Sequence, residues 1–439
     1  AVAGNTHLID FDLLTQMGLL KEADYASVNF GDDPTSVDYE RVFYARRPIL
    51  EIAVKNFLEN QSFQADFKHF EKSNRLWLDD FAEFMAIKEH FGNQALQKWD
   101  DKKAVARDPS ALEKYRTMLA EQIQYFKVTQ YFFFKQWSEL KHYANQKGIK
   151  IIGDMPIYVA ADSVEVWTKP ELFQLDEERN PLFVAGVPAD QFSATGQLWG
   201  NPLYAWEEHK KQGYAWWIHR IEESFKIYDV LRIDHFKGFS DYWQVDGKAE
   251  VAKDGSWQPG PGYDLFKAVK EQLGDLPIIA EDLGNIDDKA RKLLTDCNYP
   301  GMKILQFGFE DVSGESLDSP HYCIPHSIVY TGTHDNDVTN GWYNSLTEQQ
   351  QQYINDYTHR HEDESICQAM IRQLFATVSN TTIATMQDVL DLPASSRMNV
   401  PSTIGGNWQW RMQQSDLTQD KKDFLAKMTT LYQRANQEK

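Results

Sequence analysis

The chain has 439 residues and is 42% hydrophobic, enough to fill the core of one large barrel or of two to three ordinary domains. Its formal net charge is -20, and no basic run is longer than Arg46-Arg47 or Lys102-Lys103. These features argue against a nucleic acid or an anionic membrane as a partner, and they favour a neutral substrate.

The cysteines are odd in number and widely spaced, at Cys297, Cys323 and Cys367. This pattern predicts neither a disulfide framework nor a zinc cluster, so we expect a reducing, cytoplasmic location. The sequence shows no apolar stretch of membrane-spanning length and no signal peptide. Because the first residue is Ala1 rather than methionine, we expect the true start of the protein to lie earlier.

In chain order, the first strong signal is helical and covers residues 62–147. Apolar residues recur there at three- to four-residue spacing on one face, as in Trp77, Leu78, Phe81, Phe84 and Met85. A further helix is predicted to begin with Asp108 as N-cap and Pro109 as first residue, and the pattern ends at Gly148.

Beyond residue 148, short apolar runs alternate with amphipathic helices, which is typical of a β/α architecture. The six predicted strands are 149–152, 228–233, 277–280, 302–307, 328–330 and 382–386. Helices are predicted at 264–273, where Gly274 ends the helix, and at 287–294. Thr347 and Gln350 are predicted to form a capping box at the start of a further helix. The glycine-rich segment 254–262 is predicted to be an active-site loop.

The fold class predicted from this alternation is α/β, a (β/α)8 TIM barrel with helical insertions. We divide the chain into three regions. Residues 1–61 are the N-terminal part of the barrel with connecting loops, 62–147 are a helical insertion subdomain, and 148–439 are the remainder of the barrel, with loop insertions over the active site.

Acidic residues follow three of the predicted strands, at Asp234, Glu281 and Asp335. A parallel β/α barrel places its chemistry at the carboxyl ends of its strands, so we expect these carboxylates to share one pocket. A retaining glycosidic transfer needs one carboxylate as nucleophile and one carboxylic acid as proton donor. The sequence therefore favours a glycoside-processing barrel.

Roles can be assigned from the neighbours of each carboxylate. Arg232 and Asp234 share one face of a strand, so the guanidinium would orient Asp234 and favour its ionised form, as a nucleophile requires. Glu281 has no cation within two residues and suits a general acid/base. Asp335, beside His334, would hydrogen-bond sugar hydroxyls and favour the distorted ring of the transition state.

Two alternatives to this interpretation stay open. Each carboxylate taken alone could be a helix cap or part of a surface salt bridge. Asp234, His235, His334 and Asp335 could form a metal site, although no His-x-His or His-x-x-x-His spacing supports it. No cofactor is expected, and the sequence shows no aspartate-rich loop with calcium-ligand spacing.

Further motifs make the pattern specific, namely residues 5–10, 37–39, 153–159 and 196–204, the three acidic strand ends, Asn399, and residues 406–411. In this order they resemble the 4-alpha-glucanotransferases, the amylomaltase or disproportionating-enzyme family of the alpha-amylase clan. The resemblance implies the same roles for Asp234, Glu281 and Asp335. It also implies that maltooligosaccharides and α-1,4-glucans bind at Arg232, His334, Asp154, Gln197, Trp199, Asn201, Trp257, Asp311 and Asn407.

Some of these substrate-binding residues have simpler explanations. Trp199 and Trp257, predicted on loops, could stack on sugar rings, but Trp199 could also be loop packing. Asp154 could be a strand-end cap and Asn407 a turn former.

Members of the family usually begin some sixty residues earlier, so the resemblance implies that two barrel strands precede residue 1. Two alternative functions therefore remain at this point, an α-glucan hydrolase with the same carboxylates and a non-catalytic glucan-binding fragment.

Overall fold

The computed structural model describes residues 1–189, 195–284 and 286–435, which fold into two compact units. The first unit comprises Ala1–Phe30, Glu40–Ile278 and Ile286–Cys297. The second comprises Gly31–Tyr39, Ile279–Asn285 and Asn298–Lys439. Within the described ranges, no helix combines the length and the apolar character that crossing a membrane requires.

Helices dominate both units. Those that start before residue 298 are Phe11–Gln16, Tyr39–Glu59, Gln64–Ser73, Arg75–His90, Lys102–Val105, Pro109–Met118, Ala120–Gln146, Val164–Thr168, Trp206–Lys211, Ala215–Ile227, Tyr263–Leu273 and Asp288–Cys297. Those that follow are Leu305–Glu310, Thr339–Ser345, Glu348–Thr358, Ile366–Ala376, Met386–Val389 and Gln419–Leu431.

The predicted helix signals around the long helices are confirmed. The Asp108 carboxylate accepts from the backbone N–H groups of Ser110 and Ala111, and Pro109 is the first helical residue. Gly148 follows Ala120–Gln146 with a φ of +75°, a backbone conformation that suits glycine. Thr347 and Gln350 form both hydrogen bonds of the predicted capping box.

Two small parallel sheets contain all six predicted barrel strands. Ile152–Met155 pairs with Val230–Ile233 in the register Asp154 to Arg232, and Ile278–Ala280 is the third strand of that sheet. In the second unit, Ser327–Tyr330 lies between Gly301–Ile304 and Thr381–Ile383. The mixed α/β class is confirmed, whereas a closed eight-stranded barrel and the domain boundaries stay predictions.

Three strands differ clearly from the prediction. The observed strand Ile152–Met155 overlaps the predicted run 149–152 only at Ile152. The run 302–307 is a strand only to Ile304, and the largely buried helix Leu305–Glu310 follows it, because a short apolar run is compatible with either structure. The run 382–386 ends as a strand at Ile383, since the Thr385 side chain accepts from Asp388 N and caps the helix Met386–Val389.

A four-stranded antiparallel sheet in the first unit was not predicted. Its order is Gln197–Pro202, Phe183–Val187, Asp241–Asp246, Ser256–Pro259. Trp199 and Trp257 therefore lie on strands, so their placement on loops was wrong, as was the interpretation of 254–262 as a loop throughout. The strands of Trp199 and Trp257 are short and contain Gly200, Asn201, Pro202 and Pro259, residue types that are rare in strands, so they leave little local signal.

The helix Tyr39–Glu59 is a further difference, since residues 1–61 were expected to contain barrel strands and loops. Pro48 and neighbouring charges obscure its pattern. Its buried residues nevertheless follow helical spacing: Ile49, Leu50, Ala53, Val54 and Phe57. This spacing is the signal that could have identified the helix.

His209 is buried in an aromatic cluster of the first unit. Its ring centroid lies 5.2 Å from those of Tyr204 and Trp206, and 5.9 Å from that of Trp216. Nε2 lies 3.1 Å from the Leu172 carbonyl oxygen and donates to it. Burial lowers the pKa of His209 from 6.5 to about 4, so the folded protein holds this ring neutral.

This pKa shift predicts acid sensitivity. Between pH 6.5 and about 4 the unfolded chain binds the proton and the folded chain does not, so the free energy of unfolding decreases as pH falls through that window. In His209→Gln that contribution is absent. Urea unfolding at about pH 7 and about pH 4.5 measures how much the free energy of unfolding decreases on acidification. In His209→Gln this decrease should be smaller than in wild type by on the order of 1–2 kcal/mol.

The exposed His69→Gln variant is the matched control and should lose as much stability as wild type. If the free energy of unfolding of His209→Gln decreases on acidification as much as that of wild type, His209 is not the neutral buried group that we infer.

Candidate active site

Arg232 joins two carboxylates at the ends of paired parallel strands. Its Nη1 donates to Asp154 Oδ1 at 2.6 Å and to Asp234 Oδ1 at 3.0 Å. The Arg232 side chain is 9% exposed, whereas those of Asp154 and Asp234 are 43% and 39% exposed. A buried cation thus orients two accessible carboxylates, and the expected proximity of Arg232 and Asp234 is present.

His235 turns the chain immediately after Asp234. Its backbone is left-handed, with φ 48° and ψ 50°, and it leads into the 3-10 turn Phe236–Phe239. Burial lowers the pKa of His235 to about 4, although the charge of Asp234 acts in the opposite direction. The neutral ring lies edge-on to Trp199, with ring centroids 4.8 Å apart.

The strand Gln197–Pro202 carries three predicted binding residues. Trp199 is 36% exposed, and its Nε1 donates to Gln197 Oε1 at 3.3 Å. Held by Gln197 and His235, Trp199 presents a fixed aromatic surface to solvent. Asn201 donates through Nδ2 to the Val159 carbonyl oxygen at 2.9 Å, so this amide nitrogen connects the strand to a neighbouring segment.

Trp257 forms a second exposed aromatic surface in the first unit. It is 45% exposed, and its ring centroid lies 5.2 Å from that of Trp243. The ammonium of Lys237 lies 4.8 Å from the Trp257 ring centroid and donates to Asp287 Oδ2 at 2.8 Å. The cation–π contact helps to fix the orientation of Trp257.

Glu281 directly follows the strand Ile278–Ala280, and its Oε1 accepts the backbone N–H of Leu283 at 2.7 Å. Asp282, the next residue, holds this turn in place. Its Oδ1 accepts from the backbone N–H of Met302 at 2.7 Å. Gly301 leaves the necessary space, since a Cβ there would lie 2.4 Å from Asp282 Oδ2. Burial raises the pKa of Asp282, the carboxyl beside Glu281.

In the second unit, Asp335 lies in a network of polar contacts. Asn399 Nδ2 donates to its carboxylate Oδ1 at 2.6 Å, and Arg397 Nη2 donates to its main-chain carbonyl at 2.6 Å. His334 Nε2 lies 3.4 Å from Asp335 Oδ2, and its ring centroid lies 5.0 Å from that of Trp408. The Asp335 side chain remains 44% exposed, so it can still contact a ligand.

The segment that carries His334 and Asp335 is fixed at both ends by the buried side chain of Asp388. Its Oδ2 accepts from Thr331 Oγ1 at 2.6 Å, and its Oδ1 accepts from the backbone N–H of Thr339 at 2.8 Å. Asp388 is 2% exposed and so acts inside the fold.

Two predicted binding residues use their side chains within their own turns. Asn407 Oδ1 accepts from Val400 N at 2.9 Å, and its Nδ2 donates to Thr403 Oγ1 at 3.0 Å. Asp311 accepts from the Oγ and the N of Ser313 at 2.8 and 2.9 Å, contacts that lower its pKa. Glucan binding by Asn407 and Asp311 stays a prediction.

Arg397 was not predicted from the sequence, and Asn399 was predicted only as part of a motif. Both lie in an irregular segment some sixty residues after Asp335, where no periodic pattern indicates a contact. One group of potential metal ligands forms among the described residues, His219, Glu222 and Glu223 on one helix, and it shares no residue with the predicted catalytic set.

Comparisons with known proteins give one answer. The family model described as 4-alpha-glucanotransferase matches residues 1–418. The 4-alpha-glucanotransferase of Streptococcus pneumoniae serotype 4 is 52% identical over 438 residues, covering 100% of this chain and 86% of that protein. The chain belongs to the 4-alpha-glucanotransferase family.

Two further likenesses agree with this assignment. The 4-alpha-glucanotransferase of Clostridium butyricum is 41% identical over 438 residues, covering 99% of this chain and 89% of that protein. The solved amylomaltase of Streptococcus agalactiae in complex with acarbose is 59% identical with a TM-score of 0.98, covering 99% of this chain and 88% of that one. The predicted family and the predicted class of enzyme, a glucan transferase, are confirmed.

For this 4-alpha-glucanotransferase family member, the bond pattern of Arg232 predicts that lysine cannot replace it. A lysine ammonium is a flexible point charge on a shorter side chain, so it would not hold both carboxylates in the positions that the Arg232 guanidinium gives them. In Arg232→Lys the rate of glucan transfer should fall at least roughly tenfold, as measured with maltotriose under saturating conditions.

Arg291→Lys is the control, because Arg291 pairs with Asp288 at 3.0 Å on the exposed surface. It should keep the wild-type rate. An Arg232→Lys enzyme as fast as Arg291→Lys would contradict the role of the guanidinium.

Proposed function

We propose that this chain transfers α-1,4-glucan segments from a donor maltooligosaccharide to the 4-hydroxyl of an acceptor glucan or glucose. The reaction is a retaining double displacement through a covalent glucosyl–Asp234 intermediate. The observation that carries the proposal is the buried Arg232 guanidinium, which orients the accessible carboxylates of Asp154 and Asp234 at strand ends in a chain of this family.

In the first step, a carboxylate oxygen of Asp234 attacks the anomeric carbon of the donor glucose. The glycosidic bond breaks, and its electron pair remains on the leaving 4-oxygen, which takes a proton from the carboxyl group of Glu281. Retention of configuration requires these two carboxyl groups to lie about 5–5.5 Å apart when the donor is bound.

In the second step, the Glu281 carboxylate accepts the proton of the acceptor 4-hydroxyl. The acceptor oxygen attacks the anomeric carbon, the ester to Asp234 breaks, and the Asp234 carboxylate is restored. The hydrogen bond from Leu283 N to Glu281 Oε1, 2.7 Å long, supports a fixed orientation for this side chain. All proton transfers in this scheme use protein carboxylates, so no cofactor is required.

Asp335 is proposed to hydrogen-bond the hydroxyls of the reacting glucose and to stabilise its distorted, oxocarbenium-like form. Its contact with Asn399 supports this role, because the amide leaves part of the carboxylate accessible. Further glucan contacts are proposed for a set of partly exposed or loop residues, namely His334, Asp154, Gln197, Trp199, Asn201, Trp257, Asp311 and Asn407. We also propose that the protein is located in the cytoplasm.

Transfer requires that a sugar acceptor outcompete water. Water is present at roughly 55 M, so a millimolar acceptor needs a preference of about 10⁴ to 10⁵, equivalent to about 6 kcal/mol. Stacking on an aromatic ring and exclusion of water are the available sources of this preference. The exposed rings of Trp199 and Trp257 support an acceptor site of this kind.

Incubation with maltotriose alone tests the proposal. Disproportionation should give glucose together with maltooligosaccharides longer than three units, with almost no net gain in reducing ends, as read by anion-exchange chromatography and a reducing-end assay. Asp234→Asn, nearly isosteric but not nucleophilic, should form no products while still folding cooperatively, because Asp154 continues to pair with Arg232.

The alternatives give different results. A hydrolase would increase reducing ends without forming chains longer than maltotriose, and a binding protein would leave maltotriose unchanged. Either result with the wild-type enzyme, or full activity in Asp234→Asn, would refute the proposed function.

A further inference from the structure

Arg397 makes two contacts that connect the predicted site to a distant segment. Nη2 donates to the main-chain carbonyl of Asp335 at 2.6 Å, across 62 positions in the sequence. Nε donates to the main-chain carbonyl of Asn399 at 2.9 Å. One guanidinium therefore binds the backbone at both residues.

These two residues also contact each other through their side chains. Asn399 Nδ2 donates to Asp335 Oδ1 at 2.6 Å. Because Arg397 fixes the backbone of both partners, it determines how the Asn399 amide meets the Asp335 carboxylate. A planar guanidinium is well suited to fixing two main-chain carbonyl groups relative to each other, because its N–H donors have a fixed relative geometry.

We propose that Arg397 is a positioning residue for glucan transfer, which acts through Asn399 and Asp335 without touching the substrate. The inference rests on the proposed function of Asp335. Its physical basis is that a carboxylate aimed at sugar hydroxyls must be placed to within a fraction of an ångström, and a displacement of about 1 Å can cost roughly a hundredfold in rate.

The contacts around Asp335 show why the bond from Arg397 matters for the position of its carboxylate. Asp388 secures the ends of the segment at Thr331 and Thr339, whereas Arg397 binds the residue that carries the carboxylate. A second contact of the Asp335 backbone, from its N–H to Thr333 Oγ1, is longer at 3.3 Å. Loss of the Arg397 contact would therefore release Asp335 locally while the segment stays attached.

The second unit provides a matched control in Arg434. This arginine also binds main-chain carbonyl oxygens, those of Phe375, Ser379 and Thr377, at 2.8, 3.0 and 2.7 Å. None of these three residues belongs to the proposed site. Arg434 thus has the same chemistry as Arg397 in a purely structural setting.

The experiment compares Arg397→Lys with Arg434→Lys in maltotriose disproportionation and in thermal unfolding. A lysine can reach one carbonyl oxygen but cannot reproduce the fork. In Arg397→Lys we expect kcat to fall roughly tenfold or more with KM within about twofold of wild type. In Arg434→Lys we expect a wild-type kcat and a decrease in melting temperature similar to that of Arg397→Lys.

A second measurement uses Asn399→Asp, which is close in shape but places a carboxylate against Asp335. Mutual repulsion favours protonation of the pair, so the acid limb of the kcat profile should move to higher pH by about one unit or more. His334, the titratable neighbour 3.4 Å from Asp335, is unchanged in this variant. A merely structural role for the contact would lower stability without moving the acid limb.

Equal kcat values in Arg397→Lys and Arg434→Lys, or an unmoved acid limb in Asn399→Asp, would overturn the positioning role. Asp335→Asn separates this failure from failure of the proposed function. If Asp335→Asn is inactive while Arg397→Lys keeps the wild-type kcat, the inference about Arg397 alone is wrong. If Asp335→Asn keeps the wild-type kcat, the role proposed for Asp335 is wrong. The positioning role of Arg397, which rests on it, is then wrong as well.

Discussion

The buried ion pairs of Arg232 are the constraint on which the nucleophile assignment depends. A guanidinium that is 9% exposed must be compensated, because an unpaired charge in that position would cost several kcal/mol. Asp154 and Asp234 provide the compensation, and the parallel register of Asp154 opposite Arg232 brings the first of them into place. Strand pairing, charge compensation and orientation of Asp234 are therefore coupled, so a change in any one should affect the others.

Near each of the other two proposed carboxylates, Glu281 and Asp335, a further aspartate binds the backbone of the segment that carries the proposed catalytic group. Asp282 binds the Met302 N–H beside Glu281, and Asp388 holds the ends of the segment that carries Asp335. Such rigid supports reduce the entropy lost when catalytic groups must be positioned, and they explain why several of the acidic residues of this chain are structural.

Much of the α/β pattern and the positions of Asp234 and Glu281 at strand ends could be predicted because both are local signals. Each strand is a short apolar run. Asp234 and Glu281 directly follow one, and Asp335 lies in the segment after Ser327–Tyr330. Trp199 and Trp257 were placed on loops because their strands are short and contain residues that are rare in strands, namely Gly200, Asn201 and Pro202 in one and Pro259 in the other. Arg397 was missed because a contact across 62 residues leaves no periodic trace. The helix Tyr39–Glu59 was missed despite a readable spacing, because Pro48 and adjacent charges interrupt it.

The most direct test of the central claim is to trap the covalent intermediate on Asp234. A maltosyl fluoride donor needs no proton for its leaving group, so Glu281→Gln should still form the ester while its transfer to an acceptor slows. Rapid acid quench, proteolysis and mass spectrometry should then place a maltosyl adduct on the peptide that contains Asp234. An adduct on a different carboxylate, or consumption of the donor with Asp234 unmodified at every quench time, would contradict the account.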